Sequence, residues 1–139
     1  MSVEQNKATL RRVFEEVWNK ENLDLIPELV SPDYVHRGPR GESRGHEGYR
    51  QMVTSARSSM PDLHYTIEDV VGEGDTLAAR LSWTGTFMGK VGDIEVTGKK
   101  VNMTQALFNR YVDGKCVEAI PFMNMAILLQ QLGITLPGG

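Results

Sequence analysis

The chain has 139 residues, 40% of them apolar and 24% charged, with a formal net charge of −3; this size suits one domain with one core, and the composition excludes disorder and fibrous repeats. Both signs of charge are scattered and no run of Lys or Arg tracks a phosphate backbone, so nucleic acid is not an expected partner. No apolar stretch approaches the roughly 18 residues of a bilayer span and the start M-S-V-E-Q-N-K lacks a signal pattern, so a cytoplasmic protein off the membrane is expected, and the single Cys116 allows neither an internal disulfide nor a multi-cysteine metal site.

Between residues 5 and 20, Leu10, Val13, Phe14, Val17 and Trp18 recur at helical spacing, with Arg11, Arg12, Glu15, Glu16 and Lys20 on the other face. L-D-L-I-P-E-L-V predicts a short second helix with Pro27 in its first turn, ended by S-P-D and forming a hairpin with the first. Y-V-H-R-G-P-R-G reads as a short extended piece and a loop; its Arg37, Arg40 and Arg44 are either solvated or an anion site. Tyr49, Met52, Val53, Ala56 and Met60 mark a third helix stopping before Pro61.

From there the period changes to two. L-H-Y-T-I-E-D-V-V puts Leu63, Tyr65 and Ile67 on one face, and G-E-G-D turns it into T-L-A-A-R-L-S-W-T-G-T-F. A glycine-bearing connection, M-G-K-V-G-D-I-E-V-T-G, leads to K-V-N-M-T-Q-A-L-F-N-R-Y, which V-D-G-K turns into C-V-E-A-I-P-F. Cys116, in that apolar strand, reads as a buried hydrophobe. M-A-I-L-L-Q-Q-L predicts a last helix, N-capped by Asn124 and ended by Gly133, before the tail I-T-L-P-G-G. Three helices and then a four-stranded meander give an α+β order, with an antiparallel sheet bent around its helices and leaving room for a pocket.

The stretches R-R-V-F-E-E-V-W-N-K-E-N-L-D-L-I-P-E-L-V-S-P-D-Y-V, G-H-E-G-Y-R-Q-M-V, M-P-D-L-H-Y-T-I-E-D-V-V-G-E-G-D, V-D-G-K and L-L-Q-Q-L-G resemble the SnoaL-like polyketide cyclases, over about residues 5 to 135. The resemblance implies the nuclear transport factor two-like α+β barrel, a cone of curved antiparallel sheet wrapped by N-terminal helices around a ligand pocket, as a single domain over residues 1–139. It also implies an aldol cyclase chemistry without metal or cofactor, in which an aspartate on the last strand takes a proton and a histidine on the strand before it steadies the enolate. Anchored on V-D-G-K, those positions fall on Pro121 and Leu107, and a further family aspartate falls on Asn124. None of the three can move a proton. Glu118 is the only carboxylate after Asp113 and has the wrong parity, because side chains alternate along a strand.

With Leu107 and Pro121 inward, period two adds Val101, Met103, Gln105 and Asn109 on one strand and Val117, Ala119 and Met123 on the next. Gln105, an amide in an apolar strand, needs a partner from the protein or from a ligand. Met52, Met60, Met88, Met103 and Met123 either meet the pocket or fill core gaps. Trp18 and Tyr49 offer flat contact or core packing, while Trp83 is placed on the sheet's outer face, which the resemblance makes a homodimer interface. Tyr34 and His36 are the acid–base candidates, His36 because imidazole titrates near neutrality. His46 and His64 read as solvent-facing, and the three histidines are too scattered for a metal. The expected partner is a small apolar, polyketide or polycyclic compound; the functional expectation is an isomerase-, cyclase- or hydroxylase-type enzyme acting by proton transfer with no cofactor. Substrate contacts are expected at Trp18, Tyr49, Met52, Met103, Gln105, Leu107, Pro121, Met123 and Asn124; the alternatives are a binding protein that leaves its ligand unchanged or an assembly module with a filled cavity.

Overall fold

A computed structural model describes residues 2–39 and 41–134. Its first helix, α1 (Val3–Arg12), opens on a capping box: Ser2 Oγ accepts from the Gln5 N–H, and Gln5 Oε1 accepts from the Ser2 N–H. The apolar stripe then runs into a π-helical segment, Val13–Trp18, where the Asn19 N–H reaches back five residues to the Phe14 carbonyl. A 3.6-residue period does not reveal this wider turn, because the apolar side chains on either side of it still share one face. The second helix is shorter than expected. A 3₁₀ turn (Leu23–Leu25) precedes one α-turn, α2 (Ile26–Leu29), with Pro27 in it.

The strands are β1 (Val30–Gly38), β2 (Gly41–Arg44), β3 (His64–Glu73), β4 (Thr76–Val91), β5 (Ile94–Val112) and β6 (Lys115–Met123), with α3 (Gly45–Ser59) after β2 and α4 (Met125–Gln131) at the end. They form one six-stranded sheet in the order β2-β1-β6-β5-β4-β3. Three expectations are corrected. First, the sheet is mixed, because β1 lies parallel to β6 with His36 opposite Ala119. A meander read from neighbouring hairpins cannot show this long-range pairing. Second, the stretch read as a loop after His36 is a hairpin, in which Arg37 pairs with Glu42 and β2 becomes an edge strand. Third, the glycine-bearing connection is itself strand: β4 and β5 stay paired to Val91 opposite Ile94, closed by a turn at Gly92 with φ 59°. The curved sheet remains open between its edges β2 and β3, an unclosed cone.

At the β5–β6 turn both Asp113 (φ 52°) and Gly114 (φ 77°) are left-handed, the geometry that matches the twist of a two-residue hairpin. This turn sets Tyr111 opposite Cys116, and a register shift between Arg110 and Tyr111 then sets Asn109 opposite Ala119 and Leu107 opposite Pro121.

Two apolar clusters fill the cone. One joins Leu10, Val13, Val17, Ile26, Leu29 and Val53 from the helices to Leu77, Leu81 and Leu107 from the sheet. The other, beneath α4, holds Met60, Leu63, Trp83, Val96, Val101, Met103 and Leu132. Trp83 is therefore inside, contrary to the outer-face expectation, because it shares strand parity with the buried Leu77, Ala79 and Leu81. No described helix is long and apolar enough to cross a membrane.

Candidate functional site

Between the first helix and the inner face of β5 and β6 lies a cavity of about 510 Å³. The chain has four tyrosines, and all four, Tyr34, Tyr49, Tyr65 and Tyr111, line it. An aromatic wall forms where the π-helical segment, β1, α3 and β3 converge. Trp18 Nε1 donates to Tyr49 Oη at 2.7 Å. The Tyr34 and Tyr49 rings meet edge to face at 5.0 Å between centroids, and Trp18 meets Tyr65 likewise at 5.4 Å. Such contacts hold the rings in fixed orientations and present flat apolar surface to the space. Burial pushes the pKa of Tyr34 and of Tyr49 well above that of free tyrosine, so both phenols keep their protons and can only donate or accept hydrogen bonds near neutral pH.

Polar groups are few, and apart from Arg37 at the β1 end they are neutral. Gln105 Oε1 accepts from Trp83 Nε1 at 3.0 Å, so the amide's partner is within the protein. Asn109 Nδ2 donates to Tyr111 Oη at 3.3 Å, deep in the wall. Thr9 Oγ1 donates to the Gly114 carbonyl and ties α1 to the β5–β6 turn. Cys116 borders the cavity but burial pushes its thiol up to about 12, which leaves it an inert apolar group.

His36 is the one lining group whose ordinary pKa lies near neutrality. Strand β1 holds it between Ser43 of β2 and Ala119 of β6, and partial burial lowers its pKa. Neutral imidazole is thus the resting form at pH 7, ready to take a proton. Gly38 leaves room for this ring: a Cβ there would stand 2.8 Å from His36 Cε1. The neighbouring charges are already paired. Arg37 binds Glu42 and, at 2.8 Å, Glu118, while Arg44 binds Glu42 at 2.6 Å. Neither arginine is a free anion site; Arg40 lies outside the described residues.

No carboxylate lines the cavity among the described residues. Glu118 points to the other side of β6, between Arg37 and Arg110, as its parity requires. Leu107 and Pro121 face each other across β5 and β6 and both line the space. Nor do any three His, Cys, Asp or Glu side chains come together among the described residues in a way that could hold a metal.

Of the candidates read from the sequence, Trp18, Tyr34, His36, Tyr49, Gln105, Leu107, Pro121 and Met123 converge on this one cavity. Met52, Met103 and Asn124 lie elsewhere. On α3 the inward face is taken by Tyr49 and Val53, so Met52 packs at the edge of the core. Met103 is buried with Met60 and Trp83 under α4. Asn124 caps α4, its Oδ1 accepting from the N–H groups of Ala126 and Ile127. Met88 is exposed, so of the five methionines considered only Met123 reaches the cavity. Val117 is displaced outward by a register shift between Arg110 and Tyr111, which turns Cys116 inward in its place. His64 is exposed as expected, but His46 Nε2 lies 2.7 Å from the Val30 carbonyl and is tethered there. Phe14, Tyr65 and Tyr111 were not singled out as site residues. Tyr111 continues the inward parity of Leu107 and Asn109, Tyr65 shares a face with Leu63 and Ile67, and Phe14 lies on the apolar stripe of the first helix.

This geometry has close counterparts. A comparison with curated proteins finds no match. Among solved structures, AclR of Streptomyces galilaeus, a candidate hydroxylase, is 30% identical with a TM-score of 0.80, covering 95% of this chain and 98% of its own. IdmH of Streptomyces antibioticus, a candidate polyketide cyclase, is 28% identical with a TM-score of 0.81 over 94% and 99% of the two chains. A SnoaL-like protein of Jannaschia sp. CCS1, at 20% identity, shares the fold with a TM-score of 0.86 over 98% of each chain. The sequence model of the SnoaL-like polyketide cyclases matches residues 8–132. With the fold and nearly the full length in agreement, the chain belongs to the SnoaL-like polyketide cyclase family.

Proposed function

We propose that the cavity binds a small, flat, largely apolar compound of polyketide or polycyclic type and that His36 moves a proton on it. The observation that carries this reading is that one group able to exchange protons near neutrality borders a cavity whose walls are mostly aromatic rings and apolar side chains, with Thr9, Gln105, Asn109 and the ion-paired Arg37 as the other polar groups. A neutral imidazole can take a proton from carbon next to a carbonyl, and a buried tyrosine hydroxyl such as that of Tyr34 can donate a hydrogen bond to the oxygen that gains charge. This supports cyclisation or isomerisation and, with dioxygen as the oxidising co-substrate, hydroxylation; AclR is named as a candidate hydroxylase and IdmH as a candidate polyketide cyclase. In this reading Leu107 and Pro121 stand where related cyclases keep their acid–base pair, and His36 supplies the chemistry from β1, the strand beside β6. Phe108 (45% exposed) and Phe122 (59% exposed) are the proposed centre of a homodimer interface on the sheet's outer face, in place of Trp83.

Incubating the protein in D₂O with a panel of carbonyl-bearing polycyclic compounds, and reading each by mass spectrometry, tests the assignment. Deuterium uptake or product formation is expected, reduced about 10²-fold or more in His36→Gln. Because the pKa of His36 is lowered, activity should rise with pH through a midpoint below that of free histidine and be level by pH 7. Unchanged turnover in His36→Gln sinks the catalytic role. The binding-only reading is favoured by the neutral pair Leu107 and Pro121, and it predicts saturable uptake with no exchange and no product.

A further inference from the structure

Two side-chain oxygens among the described residues are shut off from water and have no hydrogen-bond partner: Oδ1 of Asn6 and Oδ1 of Asn109. Asn6 sits on α1 away from the cavity; Asn109, 6% exposed, borders it. A buried amide end without a partner is disfavoured, so the Asn109 Oδ1, in a side chain that borders the cavity, is where a ligand donor gains most once a small turn of the side chain uncovers it.

We propose that the Asn109 amide, with the Tyr111 hydroxyl beside it, recognises one neutral hydroxyl group on an otherwise apolar, flat ligand. The inference rests on the cavity being a ligand site and goes beyond it by naming the group that is read and the residue that reads it. The reasoning turns on what each chemical group could offer. Asn109 Nδ2 is engaged by Tyr111 Oη at 3.3 Å, which leaves Oδ1 calling for a donor and the Tyr111 proton free to be given. A half-turn of the amide about its last side-chain bond would exchange its two ends and leave an N–H calling for an acceptor instead. A hydroxyl answers both settings, since it donates and accepts; a ketone answers one, and a methyl neither. An ionised group would lose its hydration with no opposite charge beside it, because the nearby lining, Leu107, Ala119, Tyr34 and Cys116, is uncharged at neutral pH. Across the hairpin Asn109 faces Ala119, whose small side chain leaves space over the amide.

The test uses the full chain and two probes of one shape, 2-naphthol and 2-methylnaphthalene, with dissociation constants measured by titration calorimetry. Wild type is expected to bind 2-naphthol about tenfold more tightly, the size of one well-made neutral hydrogen bond. Asn109→Leu should bring the ratio to one or below while 2-methylnaphthalene binding holds or improves, and Asn6→Leu should leave the ratio as in wild type. If Asn109→Leu does not fold, Asn109→Val serves the same purpose, and the wild-type ratio already decides the sign. Equal binding of the two probes by wild type, or a preference that survives in the Asn109 variant, overturns the hydroxyl subsite while leaving the cavity a ligand site. Binding of neither probe removes both readings together.

Discussion

The two faces of the β5–β6 hairpin are built from neighbouring residues yet carry opposite chemistry. Toward the cavity stand Gln105, Leu107, Asn109 and Tyr111 with Ala119, Pro121 and Met123, an uncharged set whose amides are hydrogen-bonded to Trp83 and Tyr111. On the outside, Arg110 and Glu118 are paired across the strands, Glu118 also holds Arg37, and Phe108 and Phe122 meet edge to face at 5.9 Å in the open. Strand alternation thus writes a sealed neutral surface and a solvated, charge-paired one with the same two segments. One face can change its chemistry without disturbing the other, provided the register is kept.

The sharpest way to break this contrast is to put the same residue on adjacent positions. Leu107→Lys buries an ammonium with no partner on the inner face and should cost about 3 kcal/mol or more, read as a shift in denaturant midpoint. Next in size, Gln105→Leu strands the buried Trp83 N–H and should cost about 1–3 kcal/mol, most of it recovered in the double variant Gln105→Leu/Trp83→Phe, where both partners are removed. Asn124→Ala, just past the end of β6, should lose about 1 kcal/mol of cap energy with no change in affinity for a cavity ligand; a loss of affinity would return Asn124 to the site. The smallest effect on stability belongs to Phe108→Lys, within about 0.5 kcal/mol, although light scattering should show a lighter particle if this face joins two copies. Comparable losses for Leu107→Lys and Phe108→Lys would erase the distinction between the faces.

Much of this was legible in the sequence where the signal is local. The resemblance sets Leu107 and Pro121 inward, period two adds Gln105 to them and turns Glu118 outward, and the Asn124 cap follows from one polar residue ahead of an apolar run. What escaped depended on partners distant in the chain or on a single irregular residue. The parallel pairing of β1 with β6 leaves no trace in either segment alone. One shift of register after Arg110 was enough to exchange Val117 for Cys116 on the inner face, since every later parity depends on it. Alternation of Trp83 with Leu81 and Phe87 fixes that they share a face but not which face it is, and the burial of Leu81 and Trp83 shows it to be the inner one. At the site, Met52 and Met103 were assigned by residue type, and packing by Tyr49 and by α4 decided otherwise.

The parallel contact between β1 and β6 also bears on the order of events during synthesis. Arg37 and Glu118, joined across it, are 81 residues apart in the chain. On a ribosome, the strand that carries Tyr34 and His36 emerges early and has no central neighbour until the last strand follows it out. Contacts of such long reach form late, after the entropy of closing the intervening loop has been met. The segment bearing the acid–base candidates must therefore wait, half paired, for nearly the whole chain. Assembling the cavity is thus tied to the synthesis of β6, so a product that stops before Lys115 would hold no complete pocket.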